Sequence, residues 1–364
     1  MGKGKLFKFA ENETFACLIQ PSLDQVLDKS SAVSDPAVGS GSVPASDSFC
    51  PAPTGSLSPS AGTSCPTLIG HPLRGNWGRD FFHNDHPIVL ELGCGKGDYT
   101  IALALRHPEI NYIGVDIKGA RMWKGAKMAT QMGLKNVGFL RTRIEFIGSL
   151  FGPDEVSEIW LTFSDPQIGR EKKRLTSPRF LARYADFLRA DGTIHLKTDS
   201  RYLYEYTHAL CQANALPISF ATSDLYALAP DASATPSGSP TAQASAPADS
   251  HVIPGSTGYP STADASASAP VSVDASAPAP ADAFASVRPQ AESADAPASA
   301  SAAALDPALF EVQTFYEKHF LAQGYRICYL AFTLAGRRDF LSPDWDEPRW
   351  ADEDHHAFLI QIHE

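Results

Sequence analysis

Cysteine is scarce in this 364-residue sequence, and the six cysteines lie at irregular intervals with no C-x-x-C pair among them. This spacing indicates neither a zinc site nor a disulfide framework. No apolar run approaches the roughly 20 residues of a membrane-spanning helix. The amino-terminal "MGKGKLFKFAENETF" has no apolar region typical of a signal peptide. We therefore expect a cytoplasmic protein with reduced thiols, no metal and no membrane partner.

Large apolar residues are few in two segments of the chain. Residues 28–68 are rich in Ser, Pro and Gly, and residues 229–307 are dominated by Ala, Ser, Pro and Asp. Such compositions bury too little apolar surface to offset the entropy lost on ordering, so we interpret both as disordered insertions. The other predicted parts are an amino-terminal segment of the catalytic domain, its core, the carboxyl-terminal part of that core and an acidic tail: 1–27, 69–228, 308–334 and 335–364.

The net charge of −11 is unevenly distributed. Acidic residues outnumber basic ones in both insertions and in the tail, so the rest of the chain is mildly basic. Seven Lys or Arg residues and no acid lie between Ile117 and Arg143, and seven more accompany two acids between Gln167 and Arg189. One such run is typical of a solvated helix face. Two runs beside one sheet edge favour a polyanion, with phosphates as the first candidate.

Short apolar runs alternate with helix-like periodicity along the core. A helix is predicted to end before Pro108 and another to occupy 119–133, while a third begins where Ser177 can cap it and Pro178 takes its first position. The strands are predicted at 87–92, 111–116, 137–141, 158–163 and 191–199. This order predicts an α/β fold with a mostly parallel sheet, helices on both faces and function at the carboxyl ends of the strands.

The first strand leads into a glycine-rich turn, "ELGCGKG". Gly93, Gly95 and Gly97 allow the backbone to turn tightly and to approach a ligand at a helix amino terminus. A dinucleotide fingerprint would have a third glycine where this chain has an aspartate, and Glu91 would repel a diphosphate. Glu91 suits the cationic sulfonium and amino group of S-adenosylmethionine, and Asp116, at the end of the second strand, is placed to accept both ribose hydroxyls. The pattern predicts an S-adenosylmethionine site.

The fourth strand runs into "FSDPQ", where an Asp-Pro pair can simply form a turn. Nucleobase methyltransferases of other families place an Asp-Pro or Asn-Pro pair at this strand position. A carboxylate there suits guanine, because it accepts hydrogen bonds from the ring N–H and the exocyclic amine. We predict that Asp165 faces the base and that the basic residues after it, Arg170, Lys172, Lys173 and Arg174, meet backbone phosphates.

Several motifs, in this order, resemble the bacterial tRNA (guanine-N7-)-methyltransferase family. They are "LELGCGKG", "NYIGVDIKGAR", "KNV", "LTFSDPQ", "KKRLTSPRFLARYADFL", "HLKTDSRYLYEYT" and "TFYEKHFLAQGYRICYL". The resemblance covers roughly 1–27, 69–228 and 308–334. It implies a Rossmann-like S-adenosylmethionine-dependent methyltransferase fold and an enzyme that methylates N7 of a variable-loop guanosine in tRNA.

The resemblance also implies roles for individual residues. Glu91 and Asp116 would bind the cofactor, Asp165 would be the active-site carboxylate, and Asp199 would bind the substrate. The late Thr-x-x-Glu that contacts the guanosine corresponds to Thr314, Phe315, Tyr316 and Glu317.

Two positions depart from the family pattern. Arg143 stands where the family commonly has an acidic residue that holds the adenosine, with Glu145 two residues later as the stand-in. Gly169 stands where a substrate lysine is expected, and Arg170 or Lys172 is the replacement. These departures and the long insertions suggest an alternative, a non-catalytic RNA-binding protein on a degenerate methyltransferase fold. A second alternative is a methyltransferase for a small molecule, against which the two basic runs argue.

Overall fold

The computed structural model describes residues 3–28, 67–229 and 305–346, all of which belong to one compact unit. Most of both predicted insertions and the last 18 residues lie outside these ranges. The predictions of disorder made for the insertions therefore remain predictions. Four described cysteines, Cys17, Cys94, Cys211 and Cys328, are free thiols.

A mostly parallel sheet of eight strands forms the centre of the fold. Its spatial order is β1-β6-β5-β4-β7-β8-β10-β9. From β1 to β8 all neighbours in this order run parallel, whereas β10 is antiparallel to both β8 and β9. The strands of this sheet are β1 (Leu18–Ile19), β4 (Ile88–Leu92), β5 (Asn111–Asp116), β6 (Val137–Arg141), β7 (Val156–Thr162), β8 (Leu188–Thr198), β9 (Ile218–Thr222) and β10 (Cys328–Thr333). A separate antiparallel pair consists of β2 (Leu27–Asp28) and β3 (Thr67–Leu68).

Helices cover both faces of the sheet, as the sequence predicts. The first face carries α2 (Asp98–Arg106), α3 (Gly119–Met132), α6 (Ala308–Glu311) and α7 (Phe315–Ala322), and the second carries α4 (Pro178–Tyr184) and α5 (Arg201–Ala213). Helix α1 (Lys3–Asn12) packs against α3. Strand residues alternate between the two apolar cores, so that Val89 packs on the first face and Leu90 on the second. None of the helices in the described ranges is long and apolar enough to cross a membrane.

The local sequence signals account for most element boundaries. Strand β5 occupies the predicted residues, and α3 ends where Gly133 adopts a left-handed conformation with φ +66°. Helix α4 begins with Pro178 in its first turn, as expected. Ser177 precedes it in an extended conformation, but its side chain makes no capping hydrogen bond. The predicted side-chain cap is therefore wrong, although the helix start is correct.

The chain after the second insertion contributes a strand to the interior of the sheet. Strand β10 lies between β8 and β9, and α6 and α7 pack on the first face. The predicted tail begins at 335, yet its described part packs against the core. Trp345 stacks edge-on against Tyr202 and Tyr206 of α5, and Asn214 donates a hydrogen bond to the Leu341 carbonyl.

Replacing 230–304 with a short Gly/Ser linker should leave folding intact. The chain segments that flank the two ends are in contact, since the Tyr226 hydroxyl donates to the Phe310 carbonyl at 3.5 Å. Each halving of loop length changes the closure free energy by only about 0.6 kcal/mol, so with a linker of about ten residues we expect the free energy of unfolding to change by no more than about 2 kcal/mol. Urea unfolding followed by circular dichroism measures this.

Truncation after Leu334 is the matched comparison, since it removes Phe340 and Trp345, which pack against the core. It should lower the urea concentration at the midpoint of unfolding. Loss of a cooperative transition in the linker variant alone would contradict the prediction that 229–307, of which 230–304 is removed here, is an insertion.

Candidate active site

A cavity of about 260 Å³ opens at the carboxyl ends of β4, β5, β7 and β8 and is closed on one side by the start of α7. It brings together most of the residues that the sequence singled out. The predicted residues that line it are Glu91, Gly93, Gly95, Asp116, Asp165, Asp199, Thr314, Phe315 and Tyr316. Parallel strands end at one edge of a sheet, which is why positions far apart in sequence meet here.

The glycine-rich turn forms one wall of the cavity. Gly93, Gly95 and Gly97 all have positive φ angles, +85°, +56° and +73°. Gly97 does not line the cavity, because it precedes α2 against the core. A Cβ atom at Gly97 would lie 2.5 Å from the Phe139 ring. The third glycine therefore allows α2 to pack closely on the sheet, while the first two leave open space beside the cavity.

Glu91 is a buried carboxylate held in a fixed orientation. One oxygen accepts hydrogen bonds from the backbone N–H of Thr100, at 2.9 Å, and from its hydroxyl, and the other accepts from the Thr162 hydroxyl at 2.6 Å. Burial raises the pKa of Glu91 to about 7, against the opposing effect of these hydrogen bonds. A cation placed in the cavity beside Glu91 would favour its ionised form.

Asp116 connects the glycine-rich turn to the turn before α3. Its Oδ2 accepts from the Gly95 backbone N–H at 2.9 Å, and its Oδ1 accepts from the Lys118 N–H at 2.7 Å. Each carboxylate oxygen keeps a further acceptor site for a ligand. The two oxygens of an oriented carboxylate at the end of β5 can therefore receive a pair of hydroxyl groups.

Asp165 lies in a tight turn between two residues with left-handed backbone conformations. Phe163 has φ +52° and Gln167 has φ +51°, values that are uncommon for such residues and cost about 1 to 3 kcal/mol each. The Asp165 Oδ1 accepts from the Gln167 backbone N–H at 3.0 Å, and the Phe163 N–H donates to the Lys197 carbonyl at 2.9 Å. The surrounding contacts thus hold an exposed carboxylate at the cavity in a strained turn.

Arg174 corrects one sequence prediction, because its side chain is fully buried and does not reach a surface phosphate. Its Nε donates to the Pro166 carbonyl at 2.9 Å, and a terminal nitrogen donates to the Gln167 carbonyl at 3.2 Å and to the Tyr202 hydroxyl. The guanidinium also lies 3.9 Å from the centre of the Tyr206 ring. Arg174 therefore holds the Asp165 turn from below. Arg170, Lys172 and Lys173 are exposed and lie outside the cavity, and their contact with phosphates stays a prediction.

Glu317 corrects a second prediction. Its side chain is buried, it does not line the cavity, and it forms a capping box with Thr314 at the start of α7. The Thr314 hydroxyl accepts from the Glu317 N–H at 3.1 Å, and the Glu317 carboxylate accepts from the Thr314 N–H at 3.3 Å. The Thr-x-x-Glu spacing is itself the sequence signature of such a box.

Phe315 remains on the cavity side of α7, with 55% of its surface exposed. The Lys96 ammonium group lies 5.1 Å from its ring centre, so a cation from the glycine-rich turn faces an aromatic ring across the cavity. An exposed aromatic ring beside a cavity offers a surface on which a planar base can stack.

Glu145 is not part of the cavity. It lies in the short helical turn after β6, where its carboxylate is 3.3 Å from the Arg143 guanidinium. The proposed stand-in role therefore lacks geometric support. Among the described residues, no cluster of three His, Cys, Asp or Glu side chains could hold a metal ion.

Sequence reasoning missed several residues that build the site. Lys96, Lys118 and Arg121 line the cavity, and only the run of positive charge in α3 hinted at the last two. Thr100 and Thr162 orient Glu91, and neither carries a recognisable motif. A buried lysine in β8, Lys197, could have been suspected from its place inside the apolar strand "TIHLKT".

The sheet order, the glycine-rich turn and the two oriented carboxylates define a Rossmann-like methyltransferase, and residues 85–241 match the family described as "Putative methyltransferase". A protein of Porphyromonas gingivalis named tRNA (guanine-N(7)-)-methyltransferase is 60% identical over 157 residues, 43% of this chain and 64% of that protein. One of the same name from Bacteroides thetaiotaomicron is 58% identical over 42% of this chain and 61% of that protein.

A third protein of this name, from Christiangramia forsetii, is 44% identical over 226 residues, 62% of this chain and 83% of that protein. The chain belongs to the tRNA (guanine-N(7)-)-methyltransferase family. The resemblance and the fold class expected from the sequence are thereby confirmed. The chain spans less than two thirds of the length of the relatives from P. gingivalis and B. thetaiotaomicron.

Gly97→Ala should destabilise the protein more than Gly133→Ala. Both glycines have positive φ, which penalises a residue with a Cβ atom by about 1 to 2 kcal/mol. The added methyl group meets Phe139 at position 97, whereas no atom lies within 4 Å at position 133. Overpacking should add about 1 to 3 kcal/mol to the loss at Gly97. Urea unfolding of the two variants checks this, and equal losses would show that the close approach of α2 to the sheet is not needed.

Proposed function

We propose that this protein transfers a methyl group from S-adenosylmethionine to N7 of a variable-loop guanosine in tRNA. The observation that carries the proposal is the meeting, in one cavity, of the oriented carboxylates of Glu91 and Asp116 with the Asp165 turn. Family membership supports the reaction class, and the exposed basic residues outside the cavity support an RNA substrate. A tRNA substrate would place the reaction in the cytoplasm.

The residues present fit S-adenosylmethionine. Glu91 offers a buried carboxylate whose raised pKa marks a position that gains from a cationic neighbour. Asp116 offers two oriented oxygens to the ribose hydroxyls, and Gly93 and Gly95 leave space for the ligand beside the backbone. When bound, the cofactor supplies an electrophilic methyl group on a sulfonium centre.

Methylation of guanine N7 needs no general base. Guanine N7 already presents a lone pair, no proton leaves N7, and the methylated base becomes cationic. Asp165 can accept hydrogen bonds from the ring N–H and the exocyclic amine, which lie away from N7, and its charge favours the developing cation. Its task is then to orient the base so that N7 lies in line with the methyl group, and to supply nearby negative charge.

Two groups of basic residues can bind the phosphates around the target base. Lys118 and Arg121 lie at the cavity, while Arg170, Lys172 and Lys173 lie on the exposed side of the Asp165 loop. Contacts to phosphate supply affinity that does not depend on sequence, whereas contacts to base edges supply specificity. We infer that the two basic groups orient the tRNA across the cavity.

The decisive experiment incubates the protein with bulk tRNA and S-adenosylmethionine that carries a tritiated methyl group. The tRNA is then digested to nucleosides, and we expect the label in 7-methylguanosine. Cofactor binding without labelled tRNA would favour a small-molecule methyltransferase. RNA binding without cofactor binding would favour a non-catalytic RNA-binding protein.

Affinity for S-adenosylmethionine should rise with pH through the pKa of Glu91. That pKa, about 7 in the folded protein, leaves the carboxyl largely protonated below neutrality, and a cationic ligand prefers the ionised form. We expect affinity to increase roughly tenfold between about pH 5.5 and pH 7.0, a range in which the ligand's amino group stays largely cationic. Isothermal titration calorimetry provides the measurement.

Glu91→Gln should bind more weakly and with little dependence on pH. Asp116→Asn is the matched control: loss of a charge-assisted hydrogen bond should weaken binding by about 1.5 to 3 kcal/mol while the pH dependence is kept. A parent protein whose affinity is constant over this range would contradict the assignment of Glu91.

Asp165→Asn should bind S-adenosylmethionine nearly as well as the parent protein but methylate tRNA far more slowly. The amide keeps the shape of the carboxylate but loses the charge and part of the acceptor capacity that orient guanine. Lys172→Glu/Lys173→Glu should instead weaken tRNA binding and reduce its salt dependence, because fewer counterions are released. Single-turnover methylation and tRNA affinity across a salt series separate the two effects. A parental methylation rate in Asp165→Asn would remove Asp165 from the proposed site.

A further inference from the structure

Lys197 and Glu317 form an ion pair in the interior of the protein. The Lys197 Nζ lies 2.7 Å from the Glu317 Oε1, and neither side chain is exposed at all. Lys197 is the penultimate residue of β8, two positions before Asp199, and Glu317 lies in the first turn of α7, directly after Tyr316. The pair thus lies directly behind two sets of cavity residues.

The pair is fully hydrogen-bonded and connects distant parts of the chain. Lys197 also donates to the Leu309 carbonyl at 2.6 Å and to the Val312 carbonyl at 3.3 Å. The Glu317 Oε1 accepts from the Tyr226 hydroxyl at 2.7 Å. One buried charge pair therefore joins β8, the chain before the second insertion and the first two helices after it.

Stability alone does not explain this arrangement. Removing two charges from water is costly, and a well-packed apolar pair of similar size often stabilises a protein as well or better. Burial lowers the pKa of Lys197, while Glu317 favours its charged form. What an ion pair provides and an apolar pair does not is a directional constraint, here between the end of β8 and the start of α7.

The constraint includes the Asp165 turn. The backbone carbonyl of Lys197 accepts from the N–H of Phe163, the strained residue two positions before Asp165, at 2.9 Å. Lys197 therefore contacts both sides of the cavity: its backbone carbonyl bonds to the Asp165 turn, and its side chain bonds to Glu317 of α7. Asp165 and the cavity residues of α7, Thr314 to Tyr316, lie on either side of the space that the base would occupy.

We propose that Lys197 and Glu317 are positioning residues for the guanosine: together they fix the separation between the Asp165 turn and the first turn of α7, and Glu317 does not itself contact the base. This inference rests on the proposed function. It assigns Glu317 a role through Lys197, in place of the direct substrate contact that the sequence predicted.

The test is a double-mutant cycle with Lys197→Met and Glu317→Gln. Each single variant should lower kcat for tRNA by at least about tenfold, since a small misplacement of reacting groups can cost about a hundredfold. The KM for S-adenosylmethionine should stay within about twofold, because the cofactor carboxylates lie on β4 and β5. The double variant should be no slower than the slower single variant, because the two residues act as one unit.

Tyr226→Phe is a milder variant that removes one hydrogen bond to Glu317 and keeps the charge pair. It should fold normally and lose about threefold to tenfold in kcat, as expected for about 1 kcal/mol of lost orientation. It replaces Lys197→Met in the cycle if that variant does not fold. Asp186→Asn is the matched control, because it breaks the exposed ion pair with Arg338 and should change kcat by less than about twofold.

Hydrogen exchange gives a readout that needs no methylation. The amides of α7 should exchange faster in Tyr226→Phe and Glu317→Gln than in the parent protein, and those of α2 should not change. Losses in kcat that multiply in the double variant would show that Glu317 acts independently of Lys197, and unchanged exchange in α7 would also overturn the proposal. A parent protein that labels no tRNA contradicts the proposed function instead, while the exchange experiment still tests the pair.

Discussion

The structure depends on one buried contact between opposite charges, because Lys197 and Glu317 join the two parts of the domain that the second insertion separates. The residues before and after that insertion share both cores and one sheet, so the chain must return to a defined position after 229. Apolar burial drives this return without fixing its direction. The antiparallel pairing of β10 with β8 and β9 fixes the direction of the strand, and the ion pair with its hydrogen bonds to Leu309, Val312 and Tyr226 fixes the helices before it against β8.

A second buried cation repeats this arrangement on the other face of the sheet. Arg174 donates to the carbonyls of Pro166 and Gln167, and Lys197 donates to those of Leu309 and Val312. In each case the cation binds main-chain oxygens of a segment that lines the cavity or lies next to one that does. Loops have few regular hydrogen bonds of their own, so a buried side chain that satisfies their carbonyls makes them rigid. Two sides of the cavity, the Asp165 turn and the start of α7, are therefore fixed by buried cations.

The sequence was sufficient to predict the sheet and the residues at its carboxyl edge. Glu91, Asp116 and Asp165 could be placed because each follows an apolar run that forms a parallel strand, and such strands end together. Arg174 and Glu317 could not be placed, because their burial depends on partners 28 or more residues away, Tyr202 and Lys197. The sequence of the basic run is the same whether its last residue, Arg174, is exposed to water or buried beneath the Asp165 turn. The packing of 335–346 was missed for the same reason, since it depends on α5.

The position of β10 in the sheet affects the order in which the protein can fold during synthesis. Within the described part of the sheet, β9 pairs only with β10, which lies roughly a hundred residues later in the chain. At about 5 to 20 residues per second, the ribosome needs on the order of 5 to 20 seconds to make this stretch. During that interval β9 is a nascent strand without its partner, and the edge of β8 is open to other pairing. The insertion therefore sets a waiting time before the last two strands of the domain can join the sheet.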